Sequence, residues 1–203
     1  MPTSIRKGPV FVPKPPVARS PINQAVPTET VHGWVVSRKQ SSAPLRLADL
    51  SQVAKIGVKA HTPPFDVPYG RSARHGDWII AGPGPEEWTL LGPIGDTREV
   101  VTSGFATVID LTHGRALMRL TGPLAPRVLE KVCSIDFSTP MCPNGAAFRT
   151  SVANVVTDVV RDDVGGTRSY LMHCERSSGH FLFNALIDAG TEFGIDVDGL
   201  NWP

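Results

Sequence analysis

The chain is poor in the residues from which self-contained metal, redox and hydrolytic sites are usually built. Its 203 residues include three cysteines, Cys133, Cys142 and Cys174. The number is odd and no two are closely spaced, which excludes a disulfide framework, a zinc knuckle and a C-x-x-C redox pair. Buried or half-buried free thiols are expected instead. Six histidines are scattered without a close pair and without H-E-x-x-H, so no metal site is expected. Neither a G-x-S-x-G nucleophile elbow nor a G-x-x-x-x-G-K-[ST] phosphate loop occurs. An excess of charge of one sign is also missing. Twenty Lys and Arg against 19 Asp and Glu leave +1, no footprint for nucleic acid or an acidic membrane surface. No apolar run approaches membrane-spanning length, and the N-terminus lacks the apolar core of a signal peptide. The expectation is a cytoplasmic protein with neither nucleic acid nor membrane as a partner.

What the chain has in plenty is proline and glycine, 19 of each. Seven prolines, Pro2, Pro9, Pro13, Pro15, Pro16, Pro21 and Pro27, crowd residues 1–30. Such a stretch cannot form a helix or a central strand and leans towards extended conformations. It reads as a solvated tail or as an arm laid across a partner subunit. Ile5, Val10, Phe11, Val12 and Val17 favour the arm, because a solvated linker has little use for them. Residues 31–203 then form the domain.

Periodicity places the elements of that domain. A strand is expected over 31–37 and another over 54–60. Residues 61–76, rich in Pro and Gly, read as an irregular loop. Apolar runs at 77–82 and 87–92 flank Pro83-Gly84-Pro85-Glu86 and predict a hairpin. A short helix is expected within 94–102. The best-specified unit is 108–131: strand, Thr112-His113-Gly114 turn, alternating strand, then a helix with Thr121-Gly122 as its cap and Pro123 in its first turn. Leu124, Val128, Leu129 and Val132 share one side of that helix. Three further strands are expected at 146–152, 155–161 and 168–174, with Asp162-Asp163 in a solvated turn. A helix over 179–189 follows, capped by Ser177, with Phe181, Leu182, Ala185, Leu186 and Ala189 facing inward and Gly190 as its stop. The expected fold class is α+β, a largely antiparallel sheet covered by a few helices.

Candidate reactive groups are sparse. Asp110 reads first as the cap of its turn, since an Asx side chain commonly bonds backbone two residues ahead. His113 reads as a turn residue bonded to nearby backbone. His173 falls inside a strand, where a hydrogen-bonded core or interface position is expected. Asp158 reads as the solvent side of an alternating strand.

The runs Asp110-Leu-Thr-His-Gly-Arg115 and Leu120-Thr-Gly-Pro-Leu-Ala-Pro-Arg-Val-Leu-Glu-Lys131 resemble the folate-binding aminomethyltransferase superfamily, which includes the glycine cleavage T-protein. Within it the chain is most similar to the gamma subunit of heterotetrameric sarcosine oxidase. Ala18-Arg-Ser-Pro-Ile22, Lys55-Ile-Gly-Val58, Gly84-Pro-Glu-Glu-Trp-Thr-Leu-Leu91 and Gly145 to Asn154 extend the match in the same order. The resemblance implies the fold of one T-protein lobe, without the additional domains of a full T-protein. It also implies a subunit with no active site, cofactor or metal of its own, stabilising a complex that oxidatively demethylates an N-methyl amino acid. Larger flavoprotein subunits of that complex would carry FAD, FMN, NAD and tetrahydrofolate. The alternative is a stand-alone tetrahydrofolate-dependent aminomethyl transferase, with Asp110, His113 and Asp158 near the pterin. Against it, the superfamily's Gly-Gly pair ahead of the acidic position is replaced by Ala153-Asn154, and the acid lands on Thr157 or Asp158 depending on register.

Overall fold

In a computed structural model the described residues are 16–202. Alternating apolar positions build 13 strands in three sheets. The strands are β1 (Thr28–Val31), β2 (Trp34–Ser37), β3 (Arg46–Asp49), β4 (Val53–Ala60), β5 (Ser72–His75), β6 (Trp78–Gly84), β7 (Glu87–Ile94), β8 (Ala106–Asp110), β9 (Arg115–Thr121), β10 (Ala147–Val152), β11 (Val155–Arg161), β12 (Ser169–Glu175) and β13 (Asp196–Asp198). Helices α1 (Ala125–Val132) and α2 (Gly179–Gly190) complete the set. The six-stranded sheet runs β10-β11-β12-β9-β3-β13 and is antiparallel except where β13 lies parallel to β3. The five-stranded sheet runs β5-β6-β7-β4-β8, and β1 pairs with β2 in a separate ribbon. An α+β domain with mostly antiparallel sheets is therefore what the sequence builds.

Burial divides the molecule into three apolar layers. Val128 and Leu129 of α1 and Leu182, Phe183 and Leu186 of α2 pack on Leu120, Met118 and Met172 of the six-stranded sheet. Each fully buried side chain of this size is worth roughly 1.5–3 kcal/mol, so the two helices are held by their inward stripes rather than by caps. A second layer fills the space between the sheets, with Leu117, Leu171 and Val160 against Ile79, Leu91 and Val53. The third lies behind the five-stranded sheet, where Trp78, Trp88, Ile80 and Leu90 are covered by Val67 and Phe65.

The segment 16–30 lies along this body. Ala18 bridges Trp34, Ile22 is buried in the helix-side core, and the Gln24 side chain bonds Asp49 and the Ser37 N–H. Residues 1–15, the first half of the expected arm, are outside the described residues.

Several local expectations change. Residues 31–37 do not form one strand, because His32 and Gly33 at φ +47° and +78° turn the chain back into a hairpin. Ser72–His75 of the expected loop is β5, pairing with β6. Residues 96–105 contain no helix; β7 runs on to Ile94, Gly95 turns at φ +75°, and β-branched Val100, Val101 and Thr102 lack helix propensity. Helix α1 starts at Ala125 with Leu124 as an N-cap lacking a side-chain bond, and Pro126, not Pro123, occupies its first turn. Thr121 cannot cap it, because it ends β9 and its hydroxyl is shared with Ser169 at 3.2 Å. Leu124 is exposed in consequence. In α2 the buried stripe is Gly179, Leu182, Phe183, Leu186, Ala189 and Gly190, an i, i+3, i+4, i+7 pattern that leaves Phe181 outside and 59% exposed. Ser178 is its N-cap, and the turn continues through Thr191–Phe193 to Gly194 at φ +70°. Asp162 and Asp163 are not solvated: Asp162 pairs with Arg119 and Arg74, and Asp163 with Arg161.

Candidate functional site: the cleft between the sheets

Strand β8 and strand β9 are separated by the Leu111–Gly114 turn, yet they pair with different partners. β8 joins β4 in the five-stranded sheet, and β9 lies between β12 and β3 in the six-stranded one. The turn is therefore the hinge line at which the two sheets meet. Asp110 and His113 sit on it at the surface. Asp110 Oδ1 accepts the Thr112 N–H at 2.8 Å, the cap expected of it. Burial pushes its carboxyl up, but the Thr112 hydroxyl and N–H outweigh that and hold it below the ordinary aspartate range. The His113 ring is stacked on Trp34 with centroids 4.6 Å apart and planes 13° apart, a contact no local pattern announces.

Asp158 is elsewhere, and it is buried rather than on the solvent side. Register places Arg149 of β10, Asp158 of β11, His173 of β12 and Leu117 of β9 in one row, side by side across the inner face of the sheet. Arg149 donates Nε to Asp158 Oδ1 at 2.6 Å and Nη2 to Oδ2 at 3.2 Å, and its Nη1 reaches Glu87 of the opposite sheet at 2.9 Å. His173 Nδ1 stands 3.6 Å from Asp158 Oδ2, too far for a hydrogen bond but close enough for strong electrostatic coupling. Both ring nitrogens of this buried histidine lack a hydrogen-bond partner among the described residues. Burial pushes the imidazole below its ordinary pKa and Asp158 only partly opposes this, so His173 is neutral at neutral pH. Burial also raises the Asp158 carboxyl, but His173 and Arg149 outweigh it and keep Asp158 low, hence ionised.

Above this row the five-stranded sheet presents Gly57, Thr89 and Ile109, which are register neighbours on β4, β7 and β8. Gly57 leaves the space: a Cβ there would lie 2.8 Å from Leu111 Cδ1. The result is a cleft of about 170 Å³ between the sheets, apolar on the Gly57, Ile109 and Leu111 side and polar where Asp158, His173 and Arg149 line it. Asp158 thus lines the cleft, while Asp110 and His113 lie outside its walls. Lys55, two residues before Gly57, is fully buried in the same layer and donates Nζ to the Ser51 and Val53 carbonyls, both at 2.8 Å. Burial pushes its amine down to about 7, against the pull of Asp49 and Asp110 and with the repulsion of Arg176. Among the described residues no group of three His, Cys, Asp or Glu is placed to hold a metal ion.

Sequence reasoning missed His173 and Arg149 as members of this site. A signal was present. Opposed residues of an antiparallel hairpin are centred on its turn, and the Gly165-Gly166 turn pairs Asp158 with His173, as Ala153-Asn154 pairs it with Arg149.

The arrangement of the two sheets has counterparts among solved structures. The fold matches a chain of the heterotetrameric sarcosine oxidase from Corynebacterium sp. U-96, solved with pyrrole 2-carboxylate, at a TM-score of 0.65 and 21% identity, covering 77% of this chain and 89% of that one. In sequence, residues 95–201 match the GCVT N-terminal domain, slightly over half of the chain, and the protein belongs to that family. An aminomethyltransferase of Geobacillus thermodenitrificans is 33% identical over 130 residues, which are 61% of this chain and 35% of that protein. The sarcosine oxidase gamma subunit of Corynebacterium sp. (strain P-1) is 30% identical over 118 residues, 56% of this chain and 57% of that protein. The chain therefore spans about a third of the first relative and a little over half of the second.

Proposed function

We propose that the protein is a gamma-type subunit of a sarcosine-oxidase-like hetero-oligomer, stabilising the assembly that oxidatively demethylates an N-methyl amino acid. In this reading the reacting groups and the FAD, FMN, NAD and tetrahydrofolate belong to larger flavoprotein subunits, and this chain supplies shape and contact surface. The observation that carries it is the edge of the five-stranded sheet. Strand β8 is its last strand, and from Thr107 to Asp110 every residue is exposed, including Val108 at 44% and Ile109 at 52%. Phe105 and Val101, 84% and 83% exposed, extend the apolar strip beside it. A bare edge bearing apolar side chains is a template for another chain, and stable folds cover it. The test is purification from the native host under gentle conditions. Recovery with two or more larger, yellow subunits is expected; recovery alone, with turnover of a methylated amine by the solitary chain, overturns the reading.

The orphaned His173 beside an ionised Asp158 favours a second reading, a stand-alone tetrahydrofolate-dependent aminomethyl transferase. The size of the cleft weighs against it. About 170 Å³ is below the roughly 300–1,000 Å³ of drug-sized ligand pockets, so the cleft does not enclose a whole pterin with its glutamyl tail. Titration of the isolated chain with tetrahydrofolate, followed by pterin fluorescence, separates the two. Saturable binding abolished by Asp158→Asn would support the second reading, and the absence of binding the first.

A further inference from the structure

The opposite end of the inner sheet face holds a second recess that neither reading uses. Register on β3 and β9 sets Arg46 opposite Thr121 and Ala48 opposite Arg119. The two long cationic side chains thus occupy one diagonal of a four-residue block and two short side chains the other, which leaves a depression between the arginines. Val164 and the C-terminal residues Asp198 and Asn201 wall it in, and its volume is about 70 Å³. That is room for about two waters at bulk density, or for one oxyanion head group.

What lines it is unusual for a recess this buried. Arg119 is held rigidly: Nη1 donates to Ser169 Oγ at 2.9 Å, Nη2 donates to Asp162 Oδ2 at 2.9 Å, and the Trp202 ring lies 5.8 Å from its guanidinium carbon. Its Nε–H is buried and has no partner among the described residues. The Nε–H of Arg46 is buried and unpartnered in the same way, since Asp198 Oδ2 lies 3.7 Å off, beyond hydrogen-bond reach. Two buried cationic donors left open beside one cavity are costly, because each has given up water without gaining a replacement. Three arginines, Arg46, Arg74 and Arg119, face two carboxylates, Asp162 and Asp198, so the cluster carries one positive charge in excess. The recess shares Arg46, Asp198 and Asn201 with a broader groove of about 360 Å³ that adds Arg38, Lys39 and Ser41.

We propose that this recess binds an oxyanion head group, carboxylate or phosphate, between Arg46 and Arg119, with the rest of the ligand lying in the adjoining groove. Planar Nε–H donors suit such oxygens, and one anion satisfies both donors and the excess charge together. The site stands independently of the subunit reading, because no residue of β8 lines it and it shares no residue with the cleft at Asp158.

The test uses the full chain at constant ionic strength, with chloride as the reference salt. Inorganic phosphate and acetate are titrated separately while the arginine Nε–H resonances are followed by NMR. Saturable shifts of Arg46 and Arg119 are expected. Arg46→Gln removes one donor, and Ala48→Val fills the floor while leaving the Arg119–Asp162 pair intact. Each is expected to weaken binding at least about tenfold, close to 1.4 kcal/mol. Saturation by phosphate alone assigns a phosphorylated ligand, by acetate alone a carboxylate, and by both the shared head-group chemistry. The proposal is overturned if neither ion shifts the two resonances, which leaves the recess to water. It is equally overturned if binding persists unchanged in Arg46→Gln. Should Ala48→Val fail to fold, the resonance shifts of the parent and the more exposed Arg46 variant decide alone.

Discussion

At the scale of the residue, the turn between β10 and β11 places two residues other than glycine in a left-handed conformation. Ala153 and Asn154 both adopt positive φ, +47° and +64°. Asn tolerates that region, but Ala meets a steric penalty there. The Ala153 N–H bonds the Val132 carbonyl at 2.7 Å, so the turn is held from outside. Ala153→Gly is expected to stabilise the protein by about 0.5–1 kcal/mol, read as a higher urea midpoint with an unchanged slope. Loss of stability would show that the packed methyl group outweighs the strain.

Lys55 makes a pH-dependent case at the same scale. Its amine is lowered to about 7 in the folded chain, whereas the unfolded chain titrates near 10.4. Between those values the unfolded state binds the extra proton, so this group makes stability rise with pH. Opposing it, burial pushes up Cys142, Cys174 (to about 11) and Tyr170 (to about 12). These groups hold their protons longer when folded, so their contribution is lost as pH climbs above the unfolded thiol and phenol values. The rise from Lys55 should therefore be visible from about pH 7 to 8.5. Chemical denaturation across that window should show it, and Lys55→Met should flatten the curve. A parent curve that is already flat would sink the assignment.

At the scale of the element, the six-stranded sheet is organised by polar groups at both ends of an apolar layer. One end carries Arg149, Asp158 and His173, and the other Arg119, Asp162 and Ser169, with Leu117, Val160 and Leu171 between. The Arg119–Asp162 pair is a structural necessity once either member is buried. Asp162→Asn removes the charge facing Arg119 and Arg74 and is expected to cost about 3–5 kcal/mol, because it leaves a buried guanidinium uncompensated. Replacing the exposed partner by Arg74→Gln should cost far less, on the order of 1 kcal/mol. Equal losses from the two, measured by thermal unfolding, would contradict the burial argument.

At the scale of the whole molecule, the open edge at β8 is the feature the fold does not resolve internally. Val108 lies on that edge and outside the cleft lining. Val108→Lys is expected to leave the melting temperature of the isolated chain within about 2 °C, since surface substitutions away from special features change stability little. The same change should abolish co-purification with larger subunits, which size-exclusion chromatography and mass spectrometry of the complex would read. An unimpaired assembly would move the interface to another face. Charged residues on exposed edges are the usual guard against unwanted pairing, so the substitution acts on pairing and not on folding.

How much of this was legible in the chain follows from the range of the forces involved. The hairpins β6–β7, β10–β11 and β11–β12, the Leu182, Leu186 and Ala189 part of the packed stripe of α2, and the turn cap at Asp110 were readable in advance, because period, Gly punctuation and Asx capping act over a few residues. The α+β class and the family resemblance were readable for the same reason, through motifs in order. Which sheet each strand joined was not, nor was the stacking of His113 on Trp34, the covering of Asp158 by the opposite sheet, or the pairing of Asp162 with two arginines distant in sequence. These depend on contacts whose partners lie tens of residues apart, and no local preference encodes them. Local sequence determined the strands and their faces; only their assembly into two opposed sheets decided which polar residues were stripped of water and had to find one another.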